Sequence, residues 1–354
     1  LTTAQAAALT TAQVAALTTV QLGALEQADF QAMTTAQFAG LTTAQVASLS
    51  ADRLGSMETA DIAALGSSQL RAIGLDAIAG FNSASIAALS SAQLMSLTTA
   101  QIAAIDAAAF AGIDTADLAA LTATQVAALT ADQLGALSTT QIGALTATQV
   151  PSIGASQLAS LSPTLLTALG TAQITALNTR QIASLTPDQI AGLETADIAA
   201  LNTRQLRTLS AEQLSAFTTA GMAALNTDQV RSLTTQQVAQ LDADDLAALR
   251  TASFAALQAT QVAAITDAQA AALGTASLAA LGTTTIGSLS AAAIAALTTN
   301  VVASLSTAQI QTLSTAQIAA IEATDFAAMG TAQFAALTTR QISNPSPGSI
   351  ASQP

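Results

Sequence analysis

Residues 97–104 read Leu-Thr-Thr-Ala-Gln-Ile-Ala-Ala, and variants of this eight-residue unit fill almost the whole chain. Large apolar residues stand at every eighth position from Leu1 to Leu337, so residues 1–344 divide into 43 octads without insertion or deletion. We number the positions of an octad from this residue, which is position 1. A fixed short period over this length predicts a repeat protein. Only residues 345–354 (PSPGSIASQP) fall outside, and their Pro, Gly and Ser content predicts a linker or tail.

Positions 2 and 5 of the octad carry the signature of a helix start. Position 2 is Thr, Ser, Asp, Asn or Gly in 37 octads, the residue types preferred at a helix N-cap, and position 5 is Gln in 26. Together they form a capping box, in which each side chain binds the backbone of the other residue. Pro163 and Pro187 stand at position 3, the first helical position, where a missing N–H costs nothing. Pro151, at position 7, predicts either a local distortion or a helix that has already ended.

The apolar residues support the same register. Positions 1 and 6 fall at the two sites that a hydrophobic staple brings together around a helix start. Two buried aliphatic side chains contribute about 1.5–3 kcal/mol each, which does not offset about 1–2 kcal/mol of backbone entropy for each of eight residues. A single octad is therefore unstable, and stacking must supply the rest. The sequence predicts an all-α fold, a solenoid of very short helices with one helix per octad, over a single domain of residues 1–344.

Three other architectures compete with the solenoid. In one continuous α-helix, eight residues turn through about 800°, so the Leu stripe drifts by about 80° per octad and no coiled-coil seam survives. In a β-solenoid, positions 1 and 6 face opposite ways along a strand, and Ala and Gln are poor strand formers. Low complexity permits disorder, but two large aliphatics in every octad are not typical of it.

The composition excludes several classes of function. His, Cys and Lys are absent, which removes the commonest general base, two nucleophiles and most transition-metal ligands. We therefore expect no enzyme and no cofactor. The formal net charge of -13 disfavours nucleic acid and anionic membrane surfaces. Polar residues interrupt every octad, so no membrane span is expected.

Six octads carry acidic residues at both capping positions, and we call them the acidic octads. Two carboxylates three residues apart at a helix start present oxygen ligands of the kind that Ca²⁺ prefers, which makes calcium the candidate metal. Acids also suit the positive end of a helix, so a purely structural role explains the same pattern. The predicted metal-ligating residues are Glu26, Asp29, Glu58, Asp61, Asp114, Asp117, Glu194, Asp197, Asp242, Asp245, Glu322 and Asp325.

The strings LTTAQVAAL (residues 9–17) and LSTAQIAAI (residues 313–321) resemble octapeptide arrays of very large bacterial surface or secreted proteins, often labelled as adhesion or heme-utilization proteins. The resemblance covers residues 1–344. It implies an extracellular or cell-surface location and a non-catalytic role as a rod, filament or stalk of an adhesin. The heme label finds no His or Cys ligand here.

Two further expectations follow from the repeat. We expect self-association, end to end or side by side, because neither terminus shows a distinct capping repeat. The chain also opens inside a repeat without Met, as a partial or processed segment would. The alternative function is a repeat surface that binds ice, a glycan or calcium.

Overall fold

The computed structural model describes residues 1–343, so the predicted linker at 345–354 lies outside the described residues. Within them the chain forms 42 α-helices of four to six residues and one 3-10 helix, with no strand. Every α-helix begins at position 3 of its octad. The predicted all-α solenoid with one short helix per octad is confirmed.

The chain divides into two compact units. The first spans Leu1–Leu177 and the second begins at Asn178. The helices of the first unit are α1 Thr3–Ala8, α2 Thr11–Ala16, α3 Thr19–Gly23, α4 Gln27–Gln31, α5 Thr35–Ala39, α6 Thr43–Ala47, α7 Ala51–Gly55, α8 Thr59–Ala64, α9 Ser67–Ala72, α10 Leu75–Ile78, α11 Ser83–Ala87, α12 Ser91–Ser96, α13 Thr99–Ala104, α14 Ala107–Phe110, α15 Thr115–Ala120, α16 Ala123–Ala127, α17 Ala131–Ala136, α18 Thr139–Ala144, the 3-10 helix Val150–Ser152, α19 Ala155–Ser160, α20 Pro163–Leu166 and α21 Thr171–Ala176.

The second unit repeats the same arrangement. Its helices are α22 Thr179–Ser184, α23 Pro187–Ala191, α24 Thr195–Ala200, α25 Thr203–Thr208, α26 Ala211–Ser215, α27 Thr219–Ala224, α28 Thr227–Ser232, α29 Thr235–Gln240, α30 Ala243–Ala248, α31 Thr251–Phe254, α32 Ala259–Val262, α33 Asp267–Ala272, α34 Thr275–Ala280, α35 Thr283–Ile286, α36 Ala291–Ala295, α37 Thr299–Ala303, α38 Thr307–Thr312, α39 Thr315–Ala320, α40 Ala323–Ala327, α41 Thr331–Ala336 and α42 Thr339–Ile342.

The predicted capping box starts most of these helices. At α17 the Thr130 side chain accepts a hydrogen bond from the Gln133 N–H (3.1 Å), and Gln133 Oε1 accepts one from the Thr130 N–H (2.9 Å). Pro163 and Pro187 begin α20 and α23, as predicted. Pro151 lies in the 3-10 helix that replaces an α-helix in its octad, because proline supplies no N–H for the helical ladder.

No left-handed glycine joins the helices, and a six-residue helix such as α2 is linked to the next by two extended residues. Leu17 and Thr18 show the pattern, with φ/ψ of -62/136° and -68/158°. Within residues 1–343 no residue has a positive φ. A bulky aliphatic is therefore tolerated at position 1, where it turns inward and is buried along with position 6, as at Leu134 and Leu137.

Successive turns stack with a repeat of about three and a half octads. Helices that are three apart in sequence pack together, such as α5 with α8 and α24 with α27. Hydrogen bonds from position 5 reach backbone carbonyls 28 and 31 residues earlier, as from Gln133 to Ile105 and Ile102. A spacing of 28 residues equals three and a half octads, a period that the sequence alone does not reveal.

Candidate functional site

The most regular chemical feature of the molecule is the side-chain amide at position 5. Gln133 is 1% exposed, and all of its polar atoms are engaged. Its Oε1 accepts from the Thr130 N–H, and its Nε2 donates to the carbonyl oxygens of Ile102 and Ile105, both at 2.7 Å. One amide thus caps its own helix and joins it to the preceding turn.

We call the glutamines that bond both ways the clamp glutamines. In each of them Nε2 donates to a carbonyl at position 1 of an octad in the preceding turn, and most also reach position 6 or 7 of the octad before it. With the spacing seen at Gln133, they include Gln37, Gln45, Gln69, Gln101, Gln125, Gln149, Gln213, Gln229, Gln237, Gln261, Gln269, Gln309, Gln333 and Gln341.

The clamp provides a hydrogen-bond donor for a backbone carbonyl that the repeat leaves outside the helices. Position 1 lies between two helices in an extended conformation, so its carbonyl has no place in a helical hydrogen-bond ladder. Its side chain is buried, as at Leu137 and Leu209, and a buried carbonyl without a partner is costly. The clamp glutamine supplies the missing donor from the next turn.

Other residue types at position 5 reach the same carbonyl by different means. The Arg53 guanidinium donates to the carbonyls of Leu25 and Gly23 and lies 4.8 Å from the centre of the Phe30 ring. Ser253 Oγ donates to the Leu225 carbonyl at 2.7 Å. A donor at position 5 is thus the common requirement in these octads.

In two octads with alanine at position 5, the backbones of neighbouring turns come close together. In the octads of Ala77 and Ala109, position 8 is glycine, and a Cβ on Gly80 would collide with the Ala51 carbonyl. A Cβ on Gly112 would collide with Ser83 in the same way. In these two octads, the alanine at position 5 supplies no side-chain donor, and the glycine at position 8 lets the backbones of neighbouring turns approach each other closely.

The acidic octads place their two carboxylates in different environments. The residue at position 2 is exposed in all six, and the aspartate at position 5 is buried in all six. The exposed set is Glu26, Glu58, Asp114, Glu194, Asp242 and Glu322; the buried set is Asp29, Asp61, Asp117, Asp197, Asp245 and Asp325.

Hydroxyl groups of the preceding turn bind several of the buried aspartates. Thr35 Oγ1 donates to Asp61 at 2.8 Å and Thr299 Oγ1 donates to Asp325 at 2.6 Å, each across 26 residues. Ser91 donates to Asp117 in the same way. In these octads, a hydrogen bond between two side chains therefore takes the place of the clamp.

The other three aspartates at position 5 have backbone or charged groups near them. Asp29 lies 3.9 Å from the α-amino group of Leu1. Asp197 accepts a hydrogen bond from the Glu194 N–H at 3.2 Å. Burial, followed by repulsion from Asp242 and Asp244, raises the pKa of Asp245 to about 6.

The calcium hypothesis remains a prediction. Within residues 1–343 no three acidic side chains come together in a group suited to a metal ion. Since Ca²⁺ takes six to eight oxygen ligands, an acidic octad would need water or backbone oxygens as well.

The sequence interpretation missed the second role of the glutamine, although a signal was present. A capping box accepts Glu as readily as Gln, yet no octad has Glu at position 5. Glutamate cannot donate through a side-chain N–H, so the preference for glutamine over glutamate fits an amide that donates to the preceding turn.

A family model described as the ALTTAQ repeat matches residues 22–57, 54–91, 110–147, 150–187, 166–195, 190–227, 238–275 and 318–344. These ranges cover well over half of the chain. The comparison with curated proteins finds no match. No helix among residues 1–343 has the length and apolar character needed to cross a bilayer.

Proposed function

Because the chain belongs to the ALTTAQ repeat family, we propose that it is a non-catalytic structural protein, a rod, filament or stalk of a bacterial surface or secreted adhesin. The observation that carries this proposal is the clamp. The buried amides of residues such as Gln45, Gln133 and Gln237 each join two successive turns through the backbone. Repeated side-chain bonds of this kind oppose bending and separation of the turns, which suits a spacer.

The polar side chains at positions 2 and 5 already make structural hydrogen bonds, which supports a non-catalytic role. The hydroxyl at position 2 is engaged in capping, as at Thr34, whose Oγ1 accepts from the Gln37 N–H and donates to Gln37 Oε1. The amide at position 5 is saturated by the clamp. Since His, Cys and Lys are also absent, metal-free acid–base catalysis would depend on carboxylates alone.

Because the hydroxyls at position 2 are engaged in capping, they are less available to a threonine surface that would bind ice or a glycan. Such a surface would have to rely on position 3, where side chains such as Thr11 and Thr43 are exposed. A thermal-hysteresis assay separates the two functions, because a spacer shows no hysteresis.

We further propose an extracellular or cell-surface location and self-association with a second copy of the chain. A net charge of -13 with few basic residues suits a surface that avoids nucleic acid. The clamp needs only a side-chain amide and carbonyls spaced like those of Ala6 and Leu9, which every octad array can offer to another.

Electron microscopy of the purified chain tests the proposal. We expect elongated particles of uniform narrow width, and sedimentation velocity over a range of concentrations reports on association. Compact spherical particles would refute the rod. A strictly monomeric rod at high concentration would refute self-association while leaving the spacer role intact.

A further inference from the structure

Five of the eight arginines of the chain lie on one stack of short helices in the second unit. Helix α25 packs against α22 and α28, and α28 packs against α31. These four helices and their N-cap residues include one acidic residue, Asp228. They carry Arg180, Arg204, Arg207, Arg231 and Arg250, which we call the arginine column. A chain with a net charge of -13 thus concentrates most of its positive charge on one stack.

The side chains of the arginine column are exposed and lack acidic partners. All five are exposed to solvent, and within residues 1–343 none of them forms an ion pair with a carboxylate. Arg250 donates to the Ala224 carbonyl at 3.0 Å, as Arg71 of the first unit donates to the Ser96 carbonyl. The guanidinium groups of the other four make no hydrogen bond in the described part of the chain. Like charges on neighbouring turns repel each other, so an anionic surface facing them would be stabilising.

A second stack in the same unit carries the opposite charge. Helices α24, α27, α30 and α33 pack in series, and neither they nor their N-cap residues include a basic residue. Their exposed acidic residues are Glu194, Asp242, Asp244 and Asp267, which we call the acidic column. The arginine column spans residues 180–250 and the acidic column spans residues 194–267, so the two columns extend over much the same part of the unit.

We propose that the arginine column binds the acidic column of a second copy of the chain, which lies alongside in the same direction. This inference rests on the proposed self-association and assigns it a side-by-side contact. Two copies in this arrangement bring the opposite charges to the same level. A single exposed ion pair contributes little, so the contact depends on several pairs aligned along the stacks. Arginine suits this role, because its planar guanidinium can bind both oxygens of a carboxylate.

The contact is heterologous, because the two columns are different surfaces. Each pair of copies leaves one arginine column and one acidic column free, to which further copies can bind. We therefore expect assemblies larger than dimers, in which the copies lie side by side.

Sedimentation velocity of the full chain over a range of concentrations, in about 0.1 M NaCl, tests the contact. Arg204→Glu/Arg207→Glu places carboxylates against the acidic column, and we expect association at least about tenfold weaker. The matched control is Arg71→Glu/Arg340→Glu, which changes the net charge equally outside the arginine column and should associate as the parent chain does. Circular dichroism checks that both variants fold.

A mixture of two variants identifies the partner surface. Asp242→Arg/Asp244→Arg reverses the acidic column and should not associate by itself. Its fold should be retained, because arginine already stands at these octad positions in Arg250 and Arg204. Mixed with Arg204→Glu/Arg207→Glu, it should restore association, since each reversed column then meets a column of opposite charge.

Undiminished association of Arg204→Glu/Arg207→Glu, or a mixture that stays monomeric, would overturn this contact while leaving self-association through another surface. A parent chain that stays monomeric would overturn both the contact and the self-association, whereas electron microscopy tests the rod separately. If such a monomeric chain bound heparin, and Arg204→Glu/Arg207→Glu did not, the arginine column would serve an anionic polysaccharide instead of a second copy.

Discussion

The Gln237 side-chain amide donates a hydrogen bond to the carbonyl oxygen of Leu209, 28 residues earlier, at a distance of 2.9 Å. The same amide accepts the Thr234 N–H through Oε1, so it caps α29 and joins two turns at once. This relationship recurs throughout both units. It explains why the octad combines a bulky residue between helices with a glutamine inside the next one.

Loss of the hydroxyl that binds a buried aspartate should destabilise the fold. In Ser91→Ala the Asp117 carboxylate loses a donor from the preceding turn, and we expect unfolding to become easier by about 1–3 kcal/mol. Ser67→Ala is the matched control, because Ser67 holds the same octad position but is exposed and faces no aspartate. Urea unfolding followed by circular dichroism measures both. Equal changes in the two variants would show that the Ser91 bond contributes nothing.

Replacing glycine with alanine should change the stability of the fold in opposite directions at two positions. Gly80→Ala places a methyl group against the Ala51 carbonyl, and we expect a loss of about 1–3 kcal/mol from overpacking. Gly135 lies in α17 with open space around it, so Gly135→Ala should gain about 0.5–1 kcal/mol. Thermal unfolding distinguishes them, and a stabilising Gly80→Ala would disprove the close backbone approach.

The stability of the second unit should depend on pH through Asp245. Its pKa is raised from 3.8 to about 6, so the folded chain retains this proton at pH values where the unfolded chain has lost it. The free energy of unfolding should therefore fall as pH rises from about 4 through 6, by on the order of 2 kcal/mol, and then level off.

Urea unfolding in EDTA across this range measures the effect. Asp245→Asn should flatten that part of the profile, whereas Asp228→Asn, at an exposed position, should leave it unchanged. A profile that keeps the same slope without Asp245 would assign the pH dependence to other carboxylates.

Much of the fold could be predicted from single octads because its signals are local. The N-cap at position 2, the buried positions 1 and 6 and the proline at the first helical position of α20 and α23 all follow from short-range chemistry. The distortion at Pro151 follows in the same way.

The number of octads per turn could not be predicted, because it depends on contacts between residues about 28 apart. For the same reason, the partners of Asp61 and Asp117 were not foreseen: Thr35 and Ser91 lie 26 residues away. The paired carboxylates of the acidic octads suggested shared sites, yet one member faces solvent and the other faces the preceding turn. The single domain over residues 1–344 and calcium binding by these pairs stay predictions.

The most direct test of the clamp compares two adjacent glutamines of one helix. Gln237→Glu removes the buried donor and places a negative charge against the carbonyls of Leu206 and Leu209, whereas Gln236→Glu adds the same charge at an exposed position. At pH 7.5, urea unfolding should show a loss of about 2–4 kcal/mol for Gln237→Glu and a change within about 0.5 kcal/mol for Gln236→Glu. Equal effects of the two substitutions would contradict the clamp and the structural role assigned to it.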